Sequence, residues 1–430
     1  MNPQLRRAAI KSIACFIPGQ PLTNRTHVAR FMEHATKTTQ IPHQYLEHMQ
    51  ATMSLPGHIV KNTAWTSQSW FKEMREILPP NKKHKADSMV DGIQQRRIFP
   101  ISPYGIEGMQ VYLGPPGKSL CETVEPLRML PSDAEALAGA LCLHNATPQH
   151  ATEWPKVDLV LSFAMTPEKT MPSTACLVHE KLGIRNGSAF HMDACCATQA
   201  YQHAVAAAMV QSGMARNVLC TASFCYWALR DQTDYFSAIL GDAASAILVG
   251  ESDSGGLVGT ASRAYGRTNN TTWEEYGIAD LDKYYNRGGI QKRRIRLNTD
   301  STYQSHFIKD MKSAVAEIVP KALTSAKTTL REIDFVVTHQ AVKWSGGQVV
   351  KDIGFTGEYF NTFSQVGNVA ACSPTINAWT ALKTTMPNRM KKMMWVCTGA
   401  GSSGIANVEV VSEELRSAME RDFVVPLERT

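Results

Sequence analysis

Short apolar segments alternate with helical segments from about residue 132 onward. The strand predicted at 157–163 is almost wholly apolar, as expected of a buried strand. The same run predicts helices and further strands in alternation, the helices at 133–146, 173–182 and 197–212 and the strands at 188–192, 218–222 and 243–249. This alternation predicts an α/β fold.

A second run of the same kind follows in the C-terminal part of the chain. A long helix is predicted at 305–325, with a kink or break at Pro320. Further helices are predicted at 348–353 and 370–382, and strands at 334–338, 392–398 and 408–411. The similar order of the two runs predicts a pseudo-duplicated fold that divides near 255–300.

The first 130 residues carry a weaker pattern. The apolar patch Ile10 to Pro18 predicts a first strand, and it lacks the length and the cleavage site of a secretory signal. Short helices are predicted near 26–36, 41–52 and 66–77. Since no run of about 18 apolar residues is present, we expect no membrane-spanning helix. These features predict a cytoplasmic protein.

Composition and charge narrow the class of protein. A hydrophobic content of 43% with 19% charged residues excludes a disordered or fibrous chain. The ten cysteines lack metal-ligand spacing, so reduced thiols and no metal site are expected. A net charge of +6 is too small to predict nucleic-acid binding. Basic clusters at 82–85 and 292–296 indicate a solvated surface or a docking site for an acidic carrier protein or a phosphorylated cofactor.

Cys195 and Cys196 lie where a predicted strand gives way to an Ala-rich helix. The positive end of the helix macrodipole favours a thiolate there, which makes a nucleophile. The alternative is a small buried hydrophobic residue, the usual position of a free cysteine.

Two further candidates suit the chemistry of a nucleophilic cysteine. His339 ends a predicted strand, the end at which open α/β sheets bind ligands, although a structural histidine is the alternative. Asn368 follows Gly367 in a pair that alone is an ordinary turn signal. Together, Cys196 would accept an acyl group while the other two donate hydrogen bonds to a thioester carbonyl. The Gly-rich loop 399–404 can add backbone N–H donors.

Several motifs, in order, resemble the β-ketoacyl-ACP synthase III branch of the thiolase superfamily. They are the segments 158–161, 166–167, 172–178 and 181–183, the cysteine motif 190–197, the segments 216–219 and 240–246, the histidine motif 339–341 and the Gly367-Asn368 pair. The resemblance implies an α/β thiolase fold whose two pseudo-duplicated halves form a layered αβαβα core. Residues 1–255 would carry the nucleophile and insertions, and residues 256–430 the histidine and asparagine.

The resemblance also implies a mechanism. It makes Cys196 the acyl acceptor, because Cys195 takes a position usually held by a small residue. His339 and Asn368 would bind the carbonyl of a malonyl-type thioester, and loss of CO₂ would give an enolate that attacks the acyl group. The backbone N–H groups of Cys196 and of Ala400 or Gly401 would form the oxyanion hole. Acyl-CoA or acyl carrier protein thioesters would be substrates, with no tightly bound cofactor.

The chain departs from the family at several positions. Val342 and Trp344 stand where Asn and Arg are usual, and Thr198 stands where Gly is common. The regions 47–90 and 100–130 look like insertions. We infer a specialised condensing enzyme rather than the housekeeping initiator of fatty-acid synthesis.

Residues outside the Cys-His-Asn set are assigned to substrate and partner binding. Lys309, Lys312, Lys343 and Trp344 are predicted to contact the carrier or pantetheine. A homodimer is implied, with Thr166 to Ser173 at its interface and Met171 near the partner's acyl pocket, although ordinary core is the alternative for Met171. Two other functions remain open: acyl transfer to an oxygen or nitrogen nucleophile, and an idle partner subunit, against which the intact Cys-His-Asn set argues.

Overall fold

The computed structural model describes only part of the chain. The described residues are 7–16, 21–22, 96–97, 131–148, 151, 154–167, 169, 171–225, 240–276, 295–299, 301–384 and 390–422. The helices predicted near 26–36, 41–52 and 66–77, the two predicted insertions and the basic cluster 82–85 lie outside these residues.

The first sheet has five strands. They are β1 (Ala8–Phe16), β4 (Leu159–Ala164), β5 (Ser188–His191), β6 (Asn217–Phe224) and β7 (Ala243–Glu251), in the order β1-β7-β6-β4-β5. β4 runs parallel to β5 and β6, whereas β7 is antiparallel to β6 and β1. Every residue of β4 is buried, as the apolar run predicts, while β5 forms one edge and is largely exposed.

The second sheet repeats this pattern. Its strands are β8 (Gly256–Ala264), β11 (Phe335–Thr338), β12 (Glu358–Tyr359), β13 (Lys392–Gly399) and β14 (Ser403–Val410), in the order β12-β11-β13-β14-β8. β11 is parallel to β12 and β13, and β14 is antiparallel to β13 and β8. Two small ladders pair β2 (Pro21–Leu22) with β3 (Arg96–Arg97) and β9 (Thr272–Tyr276) with β10 (Ile295–Thr299).

Helices complete a layered arrangement. They are α1 (Pro131–Ala146), α2 (Thr174–Lys181), α3 (Thr198–Gln211), α4 (Ser301–Ser325), α5 (Ser345–Asp352), α6 (Phe363–Val366), α7 (Cys372–Thr384) and α8 (Glu413–Arg421). α3 and α7 lie between the two sheets, α1 packs on the outer face of the first sheet and α4 on that of the second. The predicted α/β architecture with two similar halves is confirmed.

Large side chains and buried hydrogen bonds pack the interior between the two sheets. Trp379 of α7 and Trp395 of β13 are both about 1% exposed or less. Asn407 of β14 donates a hydrogen bond to the Ala200 carbonyl of α3 at 2.8 Å, and Thr375 of α7 donates to the Gln199 side chain of α3. The central helices are thereby fixed against each other and against the second sheet.

Pro320 does not break the helix in which it lies. α4 runs from Ser301 to Ser325 as one element. Proline leaves the carbonyl four residues earlier without its helical partner. That residue is Ala316, which is exposed as Pro320 is, so water can satisfy the carbonyl. The predicted break is therefore wrong.

Within the described residues, no helix combines the length and the apolar character that crossing a bilayer requires.

Candidate active site

The two adjacent cysteines occupy the junction between β5 and α3. Cys195–Ala197 form one turn of 3₁₀ helix, and α3 follows directly over 14 residues. Both cysteines are partly exposed, and Cys196 packs against the hydrophobic core. The turn therefore holds them at the N-terminal end of a helix, as the sequence predicts.

Side chains brace this turn in an unusual backbone conformation. Cys195 has a φ of 52°, a region that residues other than glycine seldom occupy. Its N–H donates to Asp193 Oδ1 at 2.7 Å. Thr198 Oγ1 accepts from the Ala194 N–H at 2.8 Å and donates to the Cys195 carbonyl at 2.6 Å. The threonine that departs from the family pattern is thus a brace for the cysteine turn.

Gly399, at the end of β13, touches the same turn from the other half. A Cβ at this position would lie 2.6 Å from the Ala194 carbonyl oxygen and 3.3 Å from the Cys196 nitrogen. Real side chains almost never approach so closely, so only glycine lets β13 come this near. The C-terminal half consequently helps to fix the position of Cys196.

The sulfur atoms of Cys195 and Cys196 are 3.7 Å apart. The pKa of Cys195 is lowered, chiefly by its hydrogen bond with the Cys196 thiol; burial opposes this, and the Ala400 backbone N–H adds to the lowering. The glycine loop, in which Ala400–Ser402 form a 3₁₀ turn and Gly401 has a φ of 74°, therefore reaches the thiol pair.

His339 follows directly on β11 and is 8% exposed. Burial lowers the pKa of its imidazole to about 4, although the backbone of Ala370, which faces the ring, acts in the opposite direction. At neutral pH the ring is therefore neutral and carries a single N–H donor.

Asn368 is held in a tight loop by backbone and side-chain contacts. Its side-chain Oδ1 accepts from the Ala370 N–H at 2.9 Å, and its carbonyl accepts from the Gly241 N–H at 3.1 Å. Ala370 has a φ of 45°, which turns its backbone toward both His339 and Asn368. Ala370 therefore contacts both the predicted histidine and the predicted asparagine, and the segment 240–241 anchors the Asn368 loop to the first half.

Sequence reasoning did not identify a hydrogen-bonded network that flanks His339. Gln340 donates to the Phe360 carbonyl at 2.9 Å and accepts from the Thr362 N–H at 3.1 Å. Asn377 of α7 donates to the Thr338 carbonyl at 3.2 Å and accepts from the Thr362 hydroxyl at 2.7 Å. Both peptide neighbours of His339 are thus fixed, which orients the ring.

The residues predicted to bind substrate or carrier lie at the surface. Trp344 is 53% exposed, and Lys343, Lys309 and Lys312 are exposed. Lys312 Nζ is 3.7 Å from Asp352 Oδ2. Met171 is 84% exposed, so the alternative that it is ordinary core of the single chain is wrong.

β13 and Ala370 connect the elements that carry the three predicted catalytic residues. β13 is paired with β11, which precedes His339, and its last residue, Gly399, abuts the cysteine turn. The Ala370 backbone contacts both His339 and the Asn368 side chain. Among the described residues, no group of three His, Cys, Asp or Glu side chains is placed to hold a metal ion. A thiol at a helix N-terminus, with a neutral histidine and an amide on connected elements of a thiolase fold, is suited to acyl-group chemistry.

Comparison with known families agrees with this class. The model of 3-oxoacyl-[acyl-carrier-protein (ACP)] synthase III matches residues 190–266, and the model of the C-terminal domain of that family matches residues 323–409. The first match contains Cys196 and the second contains His339 and Asn368. Over these two segments, which together span less than half of the chain, the chain is similar to β-ketoacyl synthase III enzymes, and this similarity supports an acyl-transferring enzyme of that type.

Solved structures share the fold over nearly the whole chain. For 3-oxoacyl-(acyl carrier protein) synthase III from Pseudomonas aeruginosa PAO1 the identity is 15%, the coverage 95% of this chain and 99% of that one, and the TM-score 0.65. For the priming β-ketosynthase of the R1128 polyketide pathway the identity is 18%, the coverage 96% of this chain and 98% of that one, and the TM-score 0.61. For a variant of Xanthomonas campestris OleA, solved with lauric acid and lauroyl-CoA, the identity is 15%, the coverage 94% of this chain and 99% of that one, and the TM-score 0.62.

Proposed function

We propose that the chain is a condensing enzyme that carries an acyl group on Cys196 and joins it to a malonyl-type thioester with loss of CO₂. The observation that carries this proposal is that the Ala370 backbone contacts both a neutral His339 and the Asn368 side chain, which holds the two side chains near each other. Two hydrogen-bonding side chains held near each other suit a carbonyl that becomes an enolate oxygen.

In the first half-reaction, the Cys196 thiolate attacks the carbonyl carbon of an acyl thioester and the donor thiol leaves. The helix N-terminus favours the thiolate. The backbone N–H of Cys196, with that of Ala400 or Gly401, would stabilise the tetrahedral oxyanion. The contact of Gly399 with the cysteine turn supports this, because it keeps the glycine loop next to the acyl group.

In the second half-reaction, the bond between the malonyl α-carbon and its carboxyl group breaks and CO₂ leaves. The electron pair forms an enolate, whose oxygen would accept hydrogen bonds from His339 and Asn368. The enolate carbon then attacks the acyl carbon, the C–S bond to Cys196 breaks, and the thiolate returns. Because the neutral imidazole has a single N–H, that N–H would leave the Ala370 carbonyl to donate to the enolate oxygen.

Acyl transfer to an oxygen or nitrogen nucleophile is the alternative. It is favoured by the exposed Trp344 and by Val342, which replace the residues usual in the family at these two positions. In that case His339 would act on the hydroxyl or amine of the acceptor.

One experiment separates the two functions. The protein is incubated with acyl-CoA thioesters of increasing chain length, its intact mass is measured, and malonyl-CoA is then added. Release of CO₂ with a lengthened thioester product supports condensation. If the acyl mass forms but is discharged only by an alcohol or amine, without CO₂, the alternative is correct. Cys196→Ala serves as the control for both steps.

We further propose that two copies associate through the edge strand β5, and that the enzyme acts in the cytoplasm in specialised metabolism. Among the described residues, β5 pairs on one side only, with β4, and its Phe190 is 41% exposed; Met171 is 84% exposed. Exposed edges with apolar side chains are ready for pairing. Light scattering at micromolar concentration tests the dimer, and Phe190→Asp should give a monomer. A wild-type protein that is already monomeric would contradict this proposal.

A further inference from the structure

The proposed acyl transfer uses Cys196 and leaves the neighbouring thiol without a role. Cys195 is partly exposed, its sulfur is 3.7 Å from that of Cys196, and its backbone is held at a φ of 52°. Asp193 and Thr198 hold the Cys195 backbone through its N–H and its carbonyl. A second thiol in contact with the nucleophile is available for chemistry that a single cysteine cannot perform.

We propose that Cys195 and Cys196 are a peroxide-sensitive thiol pair that closes reversibly to a disulfide between adjacent residues. A hydroperoxide oxidises one thiolate to a sulfenic acid: the O–O bond breaks, one oxygen bonds to sulfur and the other leaves as water or alcohol. The second thiol then attacks that sulfur, and the S–O bond breaks with release of water. Two thiols and one peroxide thus give one disulfide.

The geometry makes this disulfide easy to reduce. Consecutive Cα atoms are about 3.8 Å apart, whereas disulfides usually join Cα atoms about 4.4–6.8 Å apart. The bond between Cys195 and Cys196 would therefore be strained, and strained disulfides are the labile, regulatory ones. A dithiol reductant would restore both thiols.

The other described cysteines are poorly placed for this reaction. Six of them are buried: Cys15, Cys142, Cys220, Cys225, Cys372 and Cys397. Burial raises the pKa of Cys15, Cys142, Cys220, Cys372 and Cys397. Cys176 is exposed on α2, but in the described part of the chain its sulfur contacts the Ser173 hydroxyl and no second cysteine. The adjacent pair combines access with a neighbouring thiol.

The pair would protect the nucleophile. A lone sulfenic acid can be oxidised further to sulfinic acid, which thiols do not reverse, whereas a neighbouring thiol traps it first. While the disulfide persists, Cys196 cannot accept an acyl group. This consequence for acyl transfer rests on the proposed function, but the formation of the disulfide does not.

The test uses the full chain and a peptide that isolates the pair. Trypsin releases residues 186–216, which contain Cys195, Cys196 and no other cysteine. The protein is treated briefly with hydrogen peroxide, alkylated and digested. We expect the wild-type peptide to carry no alkyl group and to weigh two hydrogen atoms less than the unalkylated dithiol peptide. Fragmentation identifies any oxygen added to methionine. Dithiothreitol before alkylation should restore two alkylatable thiols. Acylation should fall at least about tenfold and recover with dithiothreitol.

Three variants complete the test. Cys195→Ala and Cys196→Ala should each lose the lighter peptide, and peroxide should inactivate Cys195→Ala without recovery. Cys176→Ala is the matched control and should behave as wild type. A wild-type peptide that gains oxygen on cysteine without losing two hydrogens would overturn the proposal, as would recovery of Cys195→Ala equal to that of wild type. If the disulfide forms but untreated protein is never acylated, the proposed function is contradicted, whereas the proposal of a peroxide-sensitive thiol pair is supported.

Discussion

Each half of the chain has a cysteine at the N-terminal end of its central helix, and the two cysteines have opposite surroundings. Cys196 precedes α3 in a turn that is partly exposed, in contact with a second thiol and with the glycine loop. Cys372 is the first residue of α7 and is fully buried; burial raises its pKa to about 12. Its thiol donates to the carbonyls of Ala222 and Ala243 at 3.5 and 3.6 Å.

The difference shows that a helix N-terminus alone does not make a nucleophile. Both cysteines occupy that position in equivalent halves, so the macrodipole acts on both. What differs is access to solvent and the nature of the partners, since carbonyl acceptors and a dry environment favour the thiol. In the proposed function the first half would supply the reactive group. In the second half the cysteine at the start of the central helix is packed in the core, and the loops carry His339 and Asn368.

The largest effect should come from exchanging the nucleophile. Cys196→Ala should abolish acylation by acyl-CoA, whereas Cys195→Ala should leave it largely intact, as measured by intact mass. Cys372→Ala is the matched control from the other half: it should acylate normally and lose on the order of 1 kcal/mol of stability. If the acyl mass were retained in Cys196→Ala and lost in Cys195→Ala, the nucleophile would be Cys195 and not Cys196.

The next largest effect separates the contributions of the two halves. His339→Ala or Asn368→Ala should still form the acyl-enzyme but should lose decarboxylation by a factor on the order of 10² or more, the typical cost of removing an oxyanion donor. CO₂ release from malonyl-CoA by pre-acylated protein measures this. Equal losses in acylation and in decarboxylation would mean that the halves do not divide the reaction in this way.

Removing the brace of the cysteine turn should have an intermediate effect. Thr198→Val keeps the shape of the side chain but loses both hydrogen bonds to the turn, which should slow acylation on the order of tenfold. Thr198→Ser keeps the hydroxyl and should restore the rate. The time course of acyl mass is the measurement; if Ser and Val behave alike, the hydroxyl does not position Cys196.

A smaller effect concerns the outer helices, which also differ between the halves. α1 is almost wholly buried, whereas α4 presents exposed lysines, and we propose that an acidic carrier protein docks there. Charge reversal at Lys309 and Lys312 should raise KM for a carrier-bound substrate a few-fold, less at high salt, and leave a short pantetheine thioester unaffected. Lys321→Glu on the same helix is the control. An equal change with both substrates would exclude docking at these lysines.

The smallest expected effect is that of pH on decarboxylation. Because the pKa of His339 is lowered from 6.5 to about 4, its ring stays neutral from pH 8 down to about pH 5. Pre-acylated protein should therefore decarboxylate malonyl-CoA at rates that differ less than about twofold between pH 6 and pH 8, whereas acylation, which consumes a thiolate, should rise with pH. An inflection of decarboxylation near pH 6.5 would show that the histidine titrates normally.

Much of the fold could be predicted because most strands carry a strong apolar signal. β4, β6, β7, β11 and β13 were all predicted within a few residues of their observed ends. β8 was not, because it lies at an edge, contains Gly256 and Gly259, and alternates poorly between buried and exposed positions. α8 was also missed, although Ser412 as N-cap and the spacing of Leu415, Ala418 and Met419 could have indicated it.

The identity of the site residues could be predicted, but not the contacts that hold them. Cys196, His339 and Asn368 stand in motifs that a sequence displays. The link through Ala370 depends on a φ of 45°, which alanine does not signal, and the brace by Thr198 depends on a turn whose shape is known only once β13 is in place. Such contacts between distant segments are decided by tertiary packing.

The close approach of Gly399 has a consequence for how the enzyme can change over time. Gly399 and the Ala194 carbonyl oxygen are so close that no methyl group fits between them. The distance between the second sheet and the turn that carries Cys196 can therefore hardly change. A substitution that enlarged the contact between α3 and α7 would shift the reactive sulfur even though it lay far from any substrate. Duplicated halves usually gain freedom to diverge; here the packing between them must keep its dimensions, and new substrates would be acquired through the surface segments instead.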